Sequence, residues 1–422
     1  MIRAIGIIKK CAARVNQETG RLPLEKANYI IAAAEEVIEG KWDDQFPLSI
    51  WQTGSGTQSN MNANEVIANR AIELAGGKRG DKSMIHPNDH VNLSQSSNDT
   101  FSTAMHMAAV EELAKDLLPS LIKMKNALEE KSEEFASIIK IGRTHLMDAV
   151  PLSLGQEFSG YVAQLGDNIE RIKFSLLGLY KLPIGGSAVG TGLTALPEFG
   201  SKMAKMISKI TDMPFVSSDN KFSLIAAHDT LVFASGALRT VACSFIKLAS
   251  DVSWMGSGPR CGFNELFLPQ NEPGSSIMPG KVNPTQCEAL NMVSVQVIGN
   301  DTAIAIAGSS GHFELNVFKP MIIHNLLHSV RILSDCSNNF TDFLIKGLKA
   351  NEKKIHYYLN HSLMLVTALT PEIGYDKSAK IASLAFEKDL SLKEANNLLG
   401  FLSEEEFDRL IDPKKMINPE LL

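Results

Sequence analysis

Apolar residues return at intervals of three and four along much of this chain, the period of a helix with one buried face. In Glu25–Gly40 the positions Ala27, Ile31, Ala34 and Ile38 share a face, and Gly40 suits a C-cap. Met1–Asn16 sets Ile2, Ile5, Ile7 and Ile8 beside Arg3, Lys9, Lys10 and Arg14, with no acid. That pattern fits an amphipathic helix or a mitochondrial presequence. A helix is expected over Asn64–Ala75. Ser94–Asp99 opens a longer one, with Asn98 or Asp99 as N-cap; it runs through Met105, Ala108, Leu113, Leu117, Leu121 and Met124. Pro119 predicts a kink in it.

Ile225–Met255 is mostly uncharged, and a second apolar helix starts near Ala289 and runs through Val293, Val295, Val297 and Ile298. Helices apolar around most of their girth must be buried on several sides. One chain has few partners to offer, which predicts a homo-oligomeric bundle. From Asn351 short helices follow, with a solvated acidic run at Glu404–Asp408. No apolar run is expected to span a membrane.

Composition agrees with a helical body. Of 422 residues, 44% are hydrophobic and only 7% aromatic, so burial rests on Ala, Leu, Ile, Val and Met. The length allows two or three domains or one elongated helical body. Lys and Arg number 41 against 47 Asp and Glu, a formal charge of −6. A nucleic-acid surface needs a basic face, and nothing here suggests one. Cys11, Cys243, Cys261, Cys287 and Cys336 are scattered, without metal-ligand spacing, and read as reduced thiols of a cytosol-like compartment.

Chemistry concentrates in a few polar stretches. Gly274-Ser275-Ser276-Ile277-Met278-Pro279-Gly280-Lys281-Val282-Asn283-Pro284 gathers hydroxyls, a lysine and an asparagine, with Glu288 just beyond. Its Pro and Gly residues forbid a helix, so it is a loop. Such a loop can raise a serine towards a ligand while Lys281 and Asn283 hold anionic oxygen; a plain surface turn has the same composition. Trp51–Glu65 and Ser94–Asp99 place hydroxyls and amides ahead of helices, which serves either N-capping or carboxylate binding at a helix N-terminus. Gly142–Pro151 breaks the pattern around Thr144 and His145, between an element ending near Ile141 and a helix starting near Leu154. His86-Pro87-Asn88-Asp89-His90 is a surface turn or a metal cluster. Pro183–Gly192 is glycine-rich, lacks the context of a nucleotide loop, and permits close backbone approach.

The string Gly274–Glu288 resembles the signature loop of the fumarase/aspartase superfamily, in its class II fumarate hydratase form. Gly311–Pro320 is similar to that family as well, and the likeness spans nearly the whole chain. The resemblance implies an all-α fold whose long central helices form a multi-helix core in a homotetramer. It implies an N-terminal domain over 1–95, a central bundle over 96–350 and a small C-terminal domain over 351–422. It favours the helix reading of Met1–Asn16, with family members carrying a further segment ahead of it.

The implied activity is that of a hydro-lyase of the tricarboxylic acid cycle: reversible hydration of fumarate to (S)-malate through an aci-carboxylate. The implied catalytic residues are Ser275 as base, His145 oriented by Glu288 at the leaving hydroxyl, and Lys281. Substrate contacts fall to Ser55, Gly56, Thr57, Asn60, Ser96, Ser97, Asn98, Thr144, Ser276, Lys281, Val282 and Asn283. A second anion site is implied at His86, Pro87, Asn88 and Asp89, where Ser83 replaces the family's usual arginine. Each active site draws its separated segments from different subunits. No metal or organic cofactor, nucleic acid or membrane is called for. The expected location is cytoplasmic, or the mitochondrial matrix in a eukaryote. Aspartate ammonia-lyase and a catalytically silent helical scaffold are the alternatives. Thr285–Glu288 and Val317–Lys319 favour the hydratase over the ammonia-lyase.

Overall fold

The structure is a computed structural model and describes residues 1–418. The helices in chain order are α1 (Ile2–Glu18), α2 (Leu24–Ile38), α3 (Thr57–Leu74), α4 (Ser97–Glu112) and α5 (Leu118–Glu134). A hairpin, β1 (Ile139–Thr144) and β2 (Met147–Ser153), leads into α6 (Leu154–Leu179). Next come β3 (Lys181–Leu182), α7 (Phe199–Thr211), β4 (Val216–Ser217), α8 (Lys221–Ala226), α9 (Asp229–Met255) and β5 (Leu266–Phe267). They are followed by α10 (Thr285–Gly308), α11 (Lys319–Phe343), β6 (Lys349–Ala350) and α12 (Glu352–His361), with short helices after them. Among the described residues the fold is all-α with three two-stranded ribbons.

The chain divides into two compact units: Met1–Ser120 with Asn168–Cys243 and Met292–Asp335, and Leu121–Asp167 with Ser244–Asn291 and Cys336–Leu422. The first unit has a core of Ala27, Ile30, Ala34, Val37, Ile67, Ala71, Ile72 and Val91, where α1, α2 and α3 pack. Within it Ser235 of α9 donates to Asp301 of α10 at 2.7 Å, and Asn300 of α10 donates to Ser329 of α11 at 3.0 Å. The second unit has a core of Ile141, Leu365, Leu369, Ile381, Ala385, Leu392 and Phe407. Within it Tyr161 of α6 donates to Asp251 of α9 at 2.8 Å.

Several expectations need correction. Helix α3 starts at Thr57, not Asn64, because Asn60 and Asn64 are buried among the helices despite their modest helix propensity. The cap of α4 is Ser96; Asp99 completes a capping box from the N3 position. The break expected at Pro119 lies just ahead of it, as a π turn at Leu113–Leu117 that continues into α5. Proline lacks the N–H that would close the preceding turn, so a wider turn absorbs the mismatch. The apolar Ile225–Met255 run breaks at Ala227 and His228. Helix α9 is, by length and composition, apolar enough to cross a membrane. Its Leu231, Ala234, Leu238, Val241, Phe245, Leu248 and Val252 are nevertheless buried, as in a bundle core.

Candidate active-site segments

In the first unit, Gly56 ends a tight turn at φ 76° and becomes the N-cap of α3. A Cβ there would lie 2.3 Å from the Phe101 ring, so only glycine fits. This turn presents Ser55, whose hydroxyl lies 2.7 Å from that of Thr57. One turn along α3, Asn60 donates to the Ser97 hydroxyl at 3.0 Å and to Asn92 Oδ1 at 3.1 Å. Ser96 accepts from the Asn98 amide at 3.3 Å, and the Asn98 side chain donates to the Ala188 carbonyl at 2.8 Å. The structure therefore brings Ser55 together with Thr57, and Asn60 with Ser97, at the starts of α3 and α4. Hydroxyls and amides at helix N-termini suit a carboxylate.

Beneath the α4 start lies Asp99, fully buried. It accepts from the Ser96 amide and, through Oδ2, from the amides of Gly185 and Ser187, each at 2.9 Å. The glycine-rich loop thus cradles an internal carboxylate rather than a nucleotide. Burial pushes the Asp99 carboxyl up to about 6, against the pull of those amides and of Lys9.

In the second unit, β1 and β2 pair antiparallel, with Thr144 opposite Met147. His145 and Leu146 form the two-residue tip at φ 57° and 59°, as a type I′ turn requires. Thr144 and His145 are exposed, and among the described residues their side chains have no hydrogen-bond partner. Arg143, one residue back, is anchored: it donates from Nη1 to both oxygens of buried Glu265 at 3.0 Å and stacks 4.4 Å from the Phe263 ring. Lys140 also reaches Glu265, at 2.9 Å, and Glu157, at 2.6 Å.

The Gly274–Pro284 loop lies between β5 and α10. A Cβ on Gly274 would lie 2.0 Å from the Lys281 carbonyl, and Asn283 donates to the Gly274 carbonyl at 2.7 Å. The loop is therefore folded back on itself. Ser275 Oγ accepts from the amides of Ile277 at 3.3 Å and Met278 at 3.1 Å. Ser276, Lys281, Val282 and Glu288 are exposed. Among the described residues, the Lys281 ammonium and Glu288 carboxylate have no partner. Cys287, next to Glu288 in the chain, is buried, and burial together with the Glu288 charge pushes its thiol up to about 12.

At the outer cluster, Pro87–Val91 forms a single π turn. His86 Nδ1 accepts from the amides of Asn88 at 3.2 Å and Asp89 at 3.1 Å. The ring thus caps amides that an anion would otherwise use. His90 Nδ1 accepts from the His86 amide at 2.7 Å. Ser83 donates to Asp81 at 2.5 Å. No group of three His, Cys, Asp or Glu able to hold a metal ion occurs among the described residues.

The sequence reading gave none of Lys9, Asp99, Lys319 and Glu265 a place as a buried charge, though all four are buried. A charged residue in an amphipathic pattern looks solvated until its face is known. The signal for Lys319 was its place in the Gly311–Pro320 string.

Comparison with known proteins identifies the family. Residues 1–299 match the family described as Lyase, and residues 365–418 match that described as Fumarase C C-terminus. Fumarate hydratase class II of Thermosynechococcus vestitus is 59% identical over 417 residues, 99% of this chain and 89% of that protein. Mitochondrial fumarate hydratase of Homo sapiens is 58% identical over 420 residues, 100% of this chain and 82% of that protein. A crystal structure of class II fumarase from Schistosoma mansoni aligns with TM-score 0.97 at 45% identity, covering 99% of this chain and 90% of that one. Joined to the hydroxyl-rich helix starts and the Ser275 loop, these matches establish that the chain belongs to the class II fumarate hydratase family.

Proposed function

We infer that this chain is a fumarate hydratase, interconverting fumarate and (S)-malate as a tricarboxylic acid cycle hydro-lyase. The observation that carries the reading is the Ser275 hydroxyl, which accepts from two amides of its own loop. A serine hydroxyl is too weak an acid to act as base unaided, and donors aimed at its oxygen stabilise the charge it must carry. In dehydration, Ser275 removes the proton from the carbon beside a carboxylate. The charge moves into that carboxylate, giving an aci-carboxylate dianion.

Lys281, Asn283 and Thr144 offer positive charge and donors to that carboxylate, with Ser276 and Val282 flanking. Ser55, Gly56, Thr57, Asn60, Ser96, Ser97 and Asn98 form the other carboxylate wall at two helix starts. His145, oriented by Glu288, protonates the departing hydroxyl; such acid–base assistance contributes ~10²–10⁴-fold. His86, Pro87, Asn88 and Asp89 make a weak outer anion site, since His86 already caps the amides. The domain division at 1–95, 96–350 and 351–422 follows the family.

The active site is completed by other copies of the chain in a homotetramer. Two features support this. Met292, Val295 and Ile306 on α10 are 68%, 64% and 65% exposed, unusual for a long apolar helix. The His145 ring and Lys281 ammonium are both exposed and, among the described residues, unpaired, as expected of groups awaiting a partner. The cytoplasm, or the mitochondrial matrix, is the compartment in keeping with the reaction.

Fumarate absorbs in the ultraviolet and malate does not. Addition of malate should raise absorbance, and Ser275→Ala should lower kcat by ~10²-fold or more. No malate-dependent rise with the unaltered protein would refute the hydratase reading. Wild-type turnover by Ser275→Ala would refute the base.

A further inference from the structure

Lys319 is the first residue of α11 and has no exposed surface. Its backbone amide donates to the Gly54 carbonyl at 3.1 Å, and its ammonium donates to the Asn98 carbonyl at 3.3 Å. One residue thus joins the Ser55–Thr57 turn to the first turn of α4. A second buried lysine, Lys9 on α1, donates to Asn92 Oδ1 at 2.8 Å and Gln95 Oε1 at 3.0 Å. Asn92 Oδ1 also accepts from Asn60, which reaches the Ser97 hydroxyl. Both lysines interact electrostatically with Asp99, a single carboxylate. With both amines protonated, two ammonium groups would face one carboxylate, an excess of positive charge beneath the proposed carboxylate wall. Buried charge without compensation is costly, and an arriving anion supplies the missing partner.

We propose that Lys319, with Lys9 and Asp99 behind it, is a positioning residue that fixes the two hydroxyl segments and provides the buried countercharge for a substrate carboxylate. This rests on the hydratase reading. The groups facing Lys319 are Asp99 on α4 and His228 ahead of α9, with His106 on α4 facing His228. Burial holds both histidines neutral, His106 down to about 4 and His228 well below its usual range. Burial also lowers each lysine to about 7, with Asp99 opposing. An anion bound above them favours the charged form, so binding near neutral pH takes up a proton.

The test uses succinate, an inert dicarboxylate, titrated calorimetrically into the unaltered protein in buffers of different ionisation heat at pH 7–8. Net proton uptake is expected, with affinity weakening as pH rises. The uptake should persist in His145→Asn and shrink in Lys319→Met and Lys9→Met. Lys319→Met should raise KM for malate by roughly tenfold with a smaller change in kcat, and flatten the pH dependence of KM. Turnover by the unaltered protein with succinate affinity independent of pH and no proton uptake overturns the proposal alone. Absence of turnover refutes the hydratase reading and takes this proposal with it. Should the lysine variants fail to fold, the uptake by the unaltered protein still decides.

Discussion

Gly54 lies against the carbonyl of Val317: a Cβ at residue 54 would sit 1.4 Å from that oxygen. The contact is backbone to backbone, so no side-chain rotation can relieve it. It sets the Ser55–Thr57 turn against the segment leading to Lys319, whose amide bonds to the Gly54 carbonyl at 3.1 Å. Gly54→Ala must push the two strands of chain apart. Overpacking of this kind costs about 1–3 kcal/mol. The expected outcome is a lower melting temperature and a raised KM for malate, measured by calorimetry and steady-state kinetics. An unchanged KM would mean that the turn does not hold substrate.

Gly274→Ala tests the loop around Ser275. The added methyl would meet the Lys281 carbonyl at 2.0 Å, so the loop cannot fold back and Asn283 loses the Gly274 carbonyl. The loop contributes no core residue, and stability should change by less than about 1 kcal/mol. kcat should fall by ~10²-fold, since small misplacements of reacting groups carry such penalties. Kinetics and melting measured on the same preparation separate the two effects.

Glu265→Gln tests the anchor of the hairpin. The carboxylate receives Arg143 at 3.0 Å and Lys140 at 2.9 Å and has no exposed surface. Removing one partner of a buried charge pair typically costs about 3–5 kcal/mol. Glu157 remains as a partner for Lys140 at 2.6 Å, so the lower end of that range is expected. The urea midpoint should fall, and the chemical shifts of the Thr144 and His145 amides should move with it.

Acid should destabilise the fold before it titrates ordinary carboxylates. Burial lowers His106 from 6.5 to about 4 and holds His228 well below 6.5 too, so at pH 4–6 the unfolded chain binds protons on both that the folded chain refuses. Asp99, raised from 3.8 to about 6, works the other way with one proton. Two outweigh one, and stability falls as pH drops from 6.5 towards 4. The shift of His106 alone corresponds to about 3 kcal/mol. Urea midpoints across this range should decline, less steeply in His106→Gln.

The helices were legible because a periodic apolar face is written in consecutive residues. Ala27 and Ala34 needed only the pattern to be placed in a core. The β1–β2 hairpin was not legible: its strands are short, and Ile139, Ile141 and Leu152 alternate too briefly to separate from a helix end. Only the break around Thr144 and His145 could be seen. The hydroxyls at the helix starts were legible as a class, though Ser96 rather than Asn98 or Asp99 proved to be the cap. The buried charges were invisible for a plain reason. Lys9 stands between Ile8 and Lys10 with nothing local to distinguish it, and only the packing of Asn92 and Gln95 around it removes it from water.

The paired left-handed residues at the hairpin tip carry one more implication. His145 and Leu146 hold backbone angles that most L-amino acids adopt reluctantly, at a cost of about 1–2 kcal/mol each. Any library of replacements at position 145 will therefore be sieved twice, once for chirality of the bend and once for acid–base ability. Glycine and asparagine pass the first sieve and fail the second; a β-branched side chain fails the first before its chemistry is ever tried.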